Sequence, residues 1–329
     1  MINDRPKVSV VVPVYGVENY IERCVRSLFE QTLDSLEYIF VNDCTPDNSM
    51  LILNQVLEEY PQRKKQVRII NQTQNRGAAK AREVGVKTAT GEYIIHCDSD
   101  DWVDSDMYRA MYQKAKNEHL DMVICDWYET DGQNHKPVQQ NLDSKSDLLA
   151  GLVDRSISGS LWNKLSACSI SQKDSFLYPQ AHMMEDIVYS IQFVIKAEKI
   201  GFINTPYYYY YNNFNSICHH PSEKSCLDRA WQAERNVNDI LHVLSRDNLI
   251  EKYKYEIIKL KNSARVFLWP LVLKNPDKYI PIWKGLFPEI NNTYPVTSSI
   301  PCTLRIIFLL TLWHIYPFVY QLINKIRKV

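Results

Sequence analysis

Apolar and polar positions alternate along the first half of this chain in a regular way. Residues 8–14, VSVVVPV, form an unbroken apolar and largely β-branched run. Such a run suits a buried strand of a parallel sheet. Val17, Ile21, Cys24, Val25 and Leu28 then recur at helical spacing within residues 17–33. EYIFV at 37–41 is a second strand and ends in the turn-rich cluster NDCTPDNS. Asp47 or Asn48 is placed to cap a helix that carries Leu53, Val56, Leu57 and Tyr60. VRII at 67–70 predicts a third strand, residues 71–77 a polar loop, and Ala78 to Thr88 a small-residue helix. YIIHC at 93–97 predicts a fourth strand and runs straight into Asp98-Ser99-Asp100-Asp101.

The pattern continues with a helix near 106–118 and a strand at 121–125, DMVIC. Residues 129–147 are polar and read as loop. Ile187, Ile191, Val194 and Ile195 mark a helix within 184–197, and the five tyrosines at 207–211 read as a strand. From about 216 the pattern turns helical, with a Pro- and Asn-rich linker near 275–301. Strands alternating with helices predict an α/β fold with a mainly parallel sheet and right-handed crossovers. The polar clusters all follow strands, at the edge where open α/β sheets bind ligands.

Composition narrows the picture. Of 329 residues, 45% are hydrophobic and 23% charged, which fits a globular chain. Lys and Arg total 38, as do Asp and Glu, so the chain lacks a global basic field and nucleic acid is not an expected partner. None of the eight cysteines forms a CxxC pair, which argues against a zinc knuckle. The N-terminus lacks an apolar stretch, so no signal peptide is expected and the cytoplasm is the expected location.

The acidic cluster carries candidate chemistry. Carboxylates at 98, 100 and 101 repel one another unless a cation sits among them. Mg²⁺ and Mn²⁺ prefer hard oxygen ligands and share them readily with phosphates. The plainer alternative is a solvated loop with a helix cap.

Five ordered motifs now resemble the family 2 glycosyltransferases, whose fold is called GT-A. They are VSVVVPVYGVENYIERCVRSLFEQT, YIFVNDCTPDNS, NRGAAKARE, IIHCDSDDW and MMEDIVYS. The match spans roughly 7–215 and implies a GT-A transferase domain at 1–215 with a helical extension at 216–329. The resemblance implies an inverting, metal-dependent transfer of one sugar from a nucleoside diphosphate, chiefly UDP, to an acceptor hydroxyl. Pro13, Val14 and Tyr15 match positions flanking the nucleoside, and Tyr15 either stacks on the base or packs in the core. Asp43 matches the aspartate that meets the base; the plainer alternative is that it stabilises the turn. Arg82 either reaches a phosphate or supports the acidic loop. Asp98, Ser99 and Asp100 match the DxD motif, which makes Asp100 the more direct metal ligand and has Asp98 either join it at the metal or meet ribose or metal-bound water. Asp101 orients Asp100 or meets the donor sugar. Asp186 matches the catalytic base, and Glu185 tunes it or binds acceptor. Trp162 is either a sugar platform or core. A contact of His219 or His220 with diphosphate is left open.

Two departures matter. Processive relatives carry Gln-x-x-Arg-Trp, whereas Gln232-Ala233-Glu234-Arg235 is followed here by Asn236, which favours single addition. Residues 306–324 carry no formal charge, are interrupted by Pro317, and are flanked by Arg305, Lys325, Arg327 and Lys328. Region 302–329 therefore suits peripheral contact with a membrane, which would fit a glycan or lipid-linked acceptor in cell-surface synthesis. Two other classes compete: a nucleotidyltransferase, which would need a basic loop after the first strand, and a non-catalytic carbohydrate- or nucleotide-binding module.

Overall fold

The computed structural model describes residues 5–140, 142, 144–212 and 222–320. His219, His220 and the end of the apolar tail lie outside the described residues. The strands are β1 Val8–Val14, β2 Leu36–Asn42, β3 Val67–Asn71, β4 Tyr93–His96, β5 Trp102–Val103, β6 Met122–Thr130, β7 His135–Val138, β8 Lys164–Ala167 and β9 Ile200–Tyr211. The first seven α-helices are α1 Ile21–Phe29, α2 Ser49–Glu59, α3 Ala78–Thr88, α4 Met107–Asn117, α5 Lys145–Asp154, α6 Cys168–Ser171 and α7 Glu185–Lys196. Six more follow: α8 Glu223–Arg246, α9 Lys254–Arg265, α10 Trp269–Lys274, α11 Pro276–Gly285, α12 Ile290–Thr293 and α13 Cys302–Leu312.

The chain divides into two compact units. The first comprises Met1–Leu148, Gly159–Gln180 and Tyr189–Asn215, and the second Leu149–Ser158, Ala181–Val188 and Ser216–Val329. Two short segments before residue 216 thus belong to the later unit.

All the strands among the described residues lie in the first unit, in the order β3-β2-β1-β4-β8-β6-β9-β5, with β7 paired to β6. β3, β2, β1 and β4 run parallel to one another. β8 is antiparallel to β4 and β6, β9 is parallel to β6, and β5 closes the edge antiparallel to β9. β1 is buried almost throughout, because helices cover both faces of a parallel sheet, and its one polar residue, Ser9, is buried with its hydroxyl donating to Glu37 of β2. α1 turns Ile21, Cys24, Val25, Leu28 and Phe29 inward. Those residues join Val10, Val12, Phe40, Ile95 and Tyr108 in one core. The described cysteines are all free thiols, most of them buried.

Two segments differ from the sequence expectation. Residues 129–147, expected as loop, hold β7 and the start of α5. β7 is a largely exposed edge strand, so it carries none of the apolar alternation that marks a strand. Asp131 accepts from the Gln133 and Asn134 N–H groups and shapes the turn into it. The expected linker at 275–301 holds α11 and α12. Its Asn and Pro start a helix rather than break one: Asn275 accepts from Lys278 N and Pro276 takes the first turn.

α3 packs against β1 through Gly85. A Cβ there would lie 2.3 Å from Val11 Cγ1, well inside contact distance. Gly85→Val should therefore destabilise the fold by about 2 kcal/mol or more, as overpacking typically does. Urea unfolding reads this directly, and an unchanged midpoint would mean that α3 does not pack tightly on β1.

Candidate active site

β3, β2, β1 and β4 are neighbours running the same way, so the loops after them share one edge. At a strand spacing of about 4.8 Å, these loops stand side by side over roughly 15 Å. The loop after β1 and the loop after β2 are stitched together. Gly16, with φ +66°, donates its N–H to Thr45 Oγ1 at 2.8 Å. Val17 N–H donates to Ser49 Oγ and Glu18 N–H to Asp47 Oδ2. Asp47 Oδ1 also accepts from Thr45 Oγ1 and from Ser49. Burial pushes the Asp47 carboxyl up, but these hydrogen bonds outweigh it and hold it below the usual range. Val14 is buried and Pro13 half-buried, while Tyr15 is 45% exposed on the rim.

Asp43 is only 2% exposed. Its Oδ1 accepts from Gln72 Nε2 and Arg76 N, both at 2.8 Å, and its Oδ2 accepts from Gly77 N at 2.6 Å. The carboxylate thus ties the loop after β2 to the loop after β3 and to the start of α3. Gly77 has φ +80°, a conformation that favours glycine. This role was not legible from the turn signature, because most of the partners are main-chain groups, and all of them are distant in sequence.

The acidic loop after β4 is held at almost every group. Tyr208 Oη accepts from Asp98 N at 3.1 Å and donates to Asp101 Oδ2 at 2.7 Å. Tyr211 N donates to Asp101 Oδ1 at 2.7 Å. Arg82 pairs with Asp98 Oδ1 at 2.7 Å, and Arg23 donates to the Asp100 carbonyl at 3.1 Å. The buried thiols of Cys24 and Cys97 point at the Asp98 carbonyl. Asp101 and Ser99 are buried. Burial, and then the charges of Asp100 and Asp98, push the Asp101 carboxyl well above the usual carboxylate range. Among the described residues no three His, Cys, Asp or Glu side chains gather into a group that would hold a metal by themselves.

The tyrosine strand explains the loop's rigidity. In β9, alternate tyrosines face opposite sides of the sheet. Tyr208 turns inward beneath Asp101 and stacks on Trp162, with ring centroids 4.2 Å apart and planes 8° apart. Trp127 packs edge-on against the same indole. Trp162 is only 6% exposed and belongs to the core, the second of the two alternatives drawn from the sequence. The open member of this stack is Tyr210, 5.9 Å from Trp162 and 41% exposed. The sequence marked the five tyrosines as a strand and a candidate carbohydrate-binding surface without singling out Tyr208 and Tyr210, although strand alternation contained that signal.

Glu185 and Asp186 belong to the second unit and form the first turn of α7. Carboxylates there are favoured by the helix dipole. Met184 precedes them with φ +70°. Glu185 is buried and Asp186 half-buried. The charge of Arg155 is attracted to Asp186.

Comparison with known proteins adds identity to this geometry. Residues 9–183 match the model of "Glycosyl transferase family 2". The chain is 30% identical over 241 residues to the uncharacterized glycosyltransferase EpsJ of Bacillus subtilis (strain 168), covering 70% of this chain and 69% of that one. It is 32% identical over 210 residues to a poly(ribitol-phosphate) beta-glucosyltransferase of Bacillus spizizenii, covering 62% of this chain and 32% of that protein. Among solved structures, S. aureus TarS 1-349 in complex with UDP superposes with a TM-score of 0.69 at 18% identity, covering 97% of this chain and 91% of that one. With its family model spanning more than half of the sequence and its sheet sharing the TarS fold, the chain belongs to glycosyl transferase family 2 and is a transferase of the GT-A fold.

Proposed function

We propose that this chain transfers a single sugar, with inversion, from a UDP-linked donor to an acceptor hydroxyl of a cell-surface glycan or its lipid-linked intermediate. The observation that carries the reading is the acidic loop Asp98–Asp101, held rigidly at the carboxyl edge of the sheet. The UDP bound by the similar TarS supports the choice of nucleotide, and the poly(ribitol-phosphate) relative supports a cell-surface acceptor. We take 1–215 as the transferase module and 216–329 as its helical extension.

Asp98 and Asp100 fit a Mg²⁺ or Mn²⁺ ion that keeps phosphate oxygens and waters as its other ligands, which is how such ions usually bind. When bound, that ion would offset charge on the departing diphosphate. Pro13, Val14, Tyr15, Ser99 and Arg82 would line or support the nucleotide, with Asp43 acting through the loop it ties down. Asp101 would hold Asp100 in place. Tyr210 and Glu185 are the groups we assign to sugar or acceptor contact.

Asp186 accepts the acceptor's hydroxyl proton in this scheme. The oxygen attacks the anomeric carbon as the bond to the diphosphate breaks, and a single displacement inverts the centre. One-step glycosyl transfer shares this stereochemistry with inverting hydrolysis.

An acceptor carried on lipid would keep the enzyme at the inner face of the cytoplasmic membrane. Leu304, Ile306, Trp313, Ile315, Phe318 and Val319 are exposed. Residues 290–329 contain Arg305, Lys325, Arg327 and Lys328 and no Asp or Glu. That balance fits an anionic lipid surface. α13 has 11 residues, and at 1.5 Å per residue it is far shorter than a hydrocarbon core of about 30 Å. No helix among the described residues is long and apolar enough to cross a membrane. Contact along the surface is the geometry this supports.

Three outcomes follow from this scheme. Asp186→Asn should lower UDP release from a panel of UDP-sugars by at least ~100-fold, the usual weight of a general base, with UDP affinity unchanged in calorimetry. Normal turnover would remove Asp186 from the mechanism. Asp100→Ala should weaken UDP binding by roughly tenfold with Mn²⁺ present and leave metal-free binding as it was. Equal affinity with and without the ion in both proteins would sink the metal assignment. Trp313→Ser with Phe318→Ser should cut sedimentation with phosphatidylglycerol vesicles by about tenfold or more. Vesicle binding that the double variant does not alter would place the contact elsewhere.

A further inference from the structure

α8 carries an unusual residue on its buried stripe. Cys226, Ala230, Ala233, Val237, Ile240 and Leu244 follow helical spacing and are buried. Asn236 sits among them with no exposure at all. A leucine would suit the stripe better, since a buried amide must find partners. Asn236 finds them in one place. Its Nδ2 donates to the Ala181 carbonyl at 3.0 Å and to the Met183 carbonyl at 2.7 Å. Its Oδ1 has no partner among the described residues, so the amide is only half satisfied. One turn earlier on the same face, Gln232 Oε1 accepts from His182 N at 3.0 Å. Gln232 Nε2 is itself held by Asp228 Oδ2 at 2.7 Å.

Three consecutive residues, 181, 182 and 183, are therefore gripped through their main chain by two side chains one turn apart. Directly after them Met184 takes φ +70°, and α7 begins at Glu185. The gripped residues thus lie immediately before the first turn of α7, which carries Asp186. All of these residues belong to the second unit.

We propose that Gln232 and Asn236 are positioning residues for the base, holding the 181–183 turn so that the Asp186 carboxylate meets the acceptor hydroxyl. This rests on the reading of Asp186 as base. It also gives a purpose to the residue after Arg235. Displacing a reacting group by about 1 Å can cost on the order of 100-fold in rate, so loosening the turn should act on turnover and not on the nucleotide.

The test measures UDP release from the UDP-sugar that the wild-type full chain hydrolyses, with kcat expressed per UDP-binding site counted by calorimetry with UDP and Mn²⁺. A merely structural role lowers the number of binding sites and leaves kcat per site intact. Asn236→Ala should lower kcat per site at least tenfold, with the UDP affinity within twofold of wild type. Gln232→Leu, which removes the acceptor for His182 N, should lower it several-fold. Wild-type kcat per site in Asn236→Ala would overturn the proposal. If that variant binds no UDP at all, Gln232→Leu decides, and wild-type turnover there overturns it equally. Normal turnover by Asp186→Asn would instead refute the base assignment, independently of either helix residue.

Discussion

The acidic loop depends on one buried hydrogen bond, from the Tyr208 hydroxyl to the Asp101 carboxylate. Burying an ionisable carboxyl beside two others is costly unless it is fully hydrogen-bonded. Tyr208 and the Tyr211 amide supply that bonding, and the same hydroxyl also receives the Asp98 N–H. The loop is thereby tied to β9, a strand far from it in sequence. Trp162 fixes the tyrosine ring from the other side. Asp98 and Asp100 are then presented by a loop held from several sides, and in the proposed scheme such fixing serves electrostatic preorganisation.

Three strands of the parallel half, β1, β2 and β4, were legible in the chain because they are buried almost throughout and read as mainly apolar runs, whereas the half-exposed β3 showed only its short VRII run. β1 is the clearest case. β7 was not legible, because an exposed edge strand needs no apolar face. α11 was masked by the residues that start it, since Asn275 and Pro276 signal a loop and a helix entry alike. At the site, the positions of the acidic motif followed from order and spacing. What each side chain touches did not. Asp43 is spent on donors 29 or more residues away, and Trp162 is closed off by a tyrosine more than forty positions on. Long-range partners of that kind leave no periodic trace.

The two halves of the proposed chemistry are built differently. The nucleotide edge is secured by charge: Arg82 on Asp98 and Arg23 on the Asp100 carbonyl. The turn before Asp186 is secured by neutral amides on an apolar helix stripe. Salt screens exposed charges over about 10 Å at 0.1 M, but it has little hold on buried neutral hydrogen bonds. Arg82 and Asp98 are themselves largely sheltered from solvent, so their attraction is screened less than that of a surface pair.

The second unit is assembled from pieces that leave the ribosome at different times. Leu149–Ser158 and Ala181–Val188 are synthesised before the helices that complete their unit. The nascent sheet can form its strands in sequence, whereas the turn ahead of Asp186 must wait for α8 to be translated before it acquires its hydrogen bonds. A chain cut after the tyrosine strand would keep every strand of the sheet and lose the support of that turn. Such a fragment would leave the turn before Asp186 without its partners on α8, and the order of synthesis alone keeps the growing polypeptide in that state until the C-terminal third arrives.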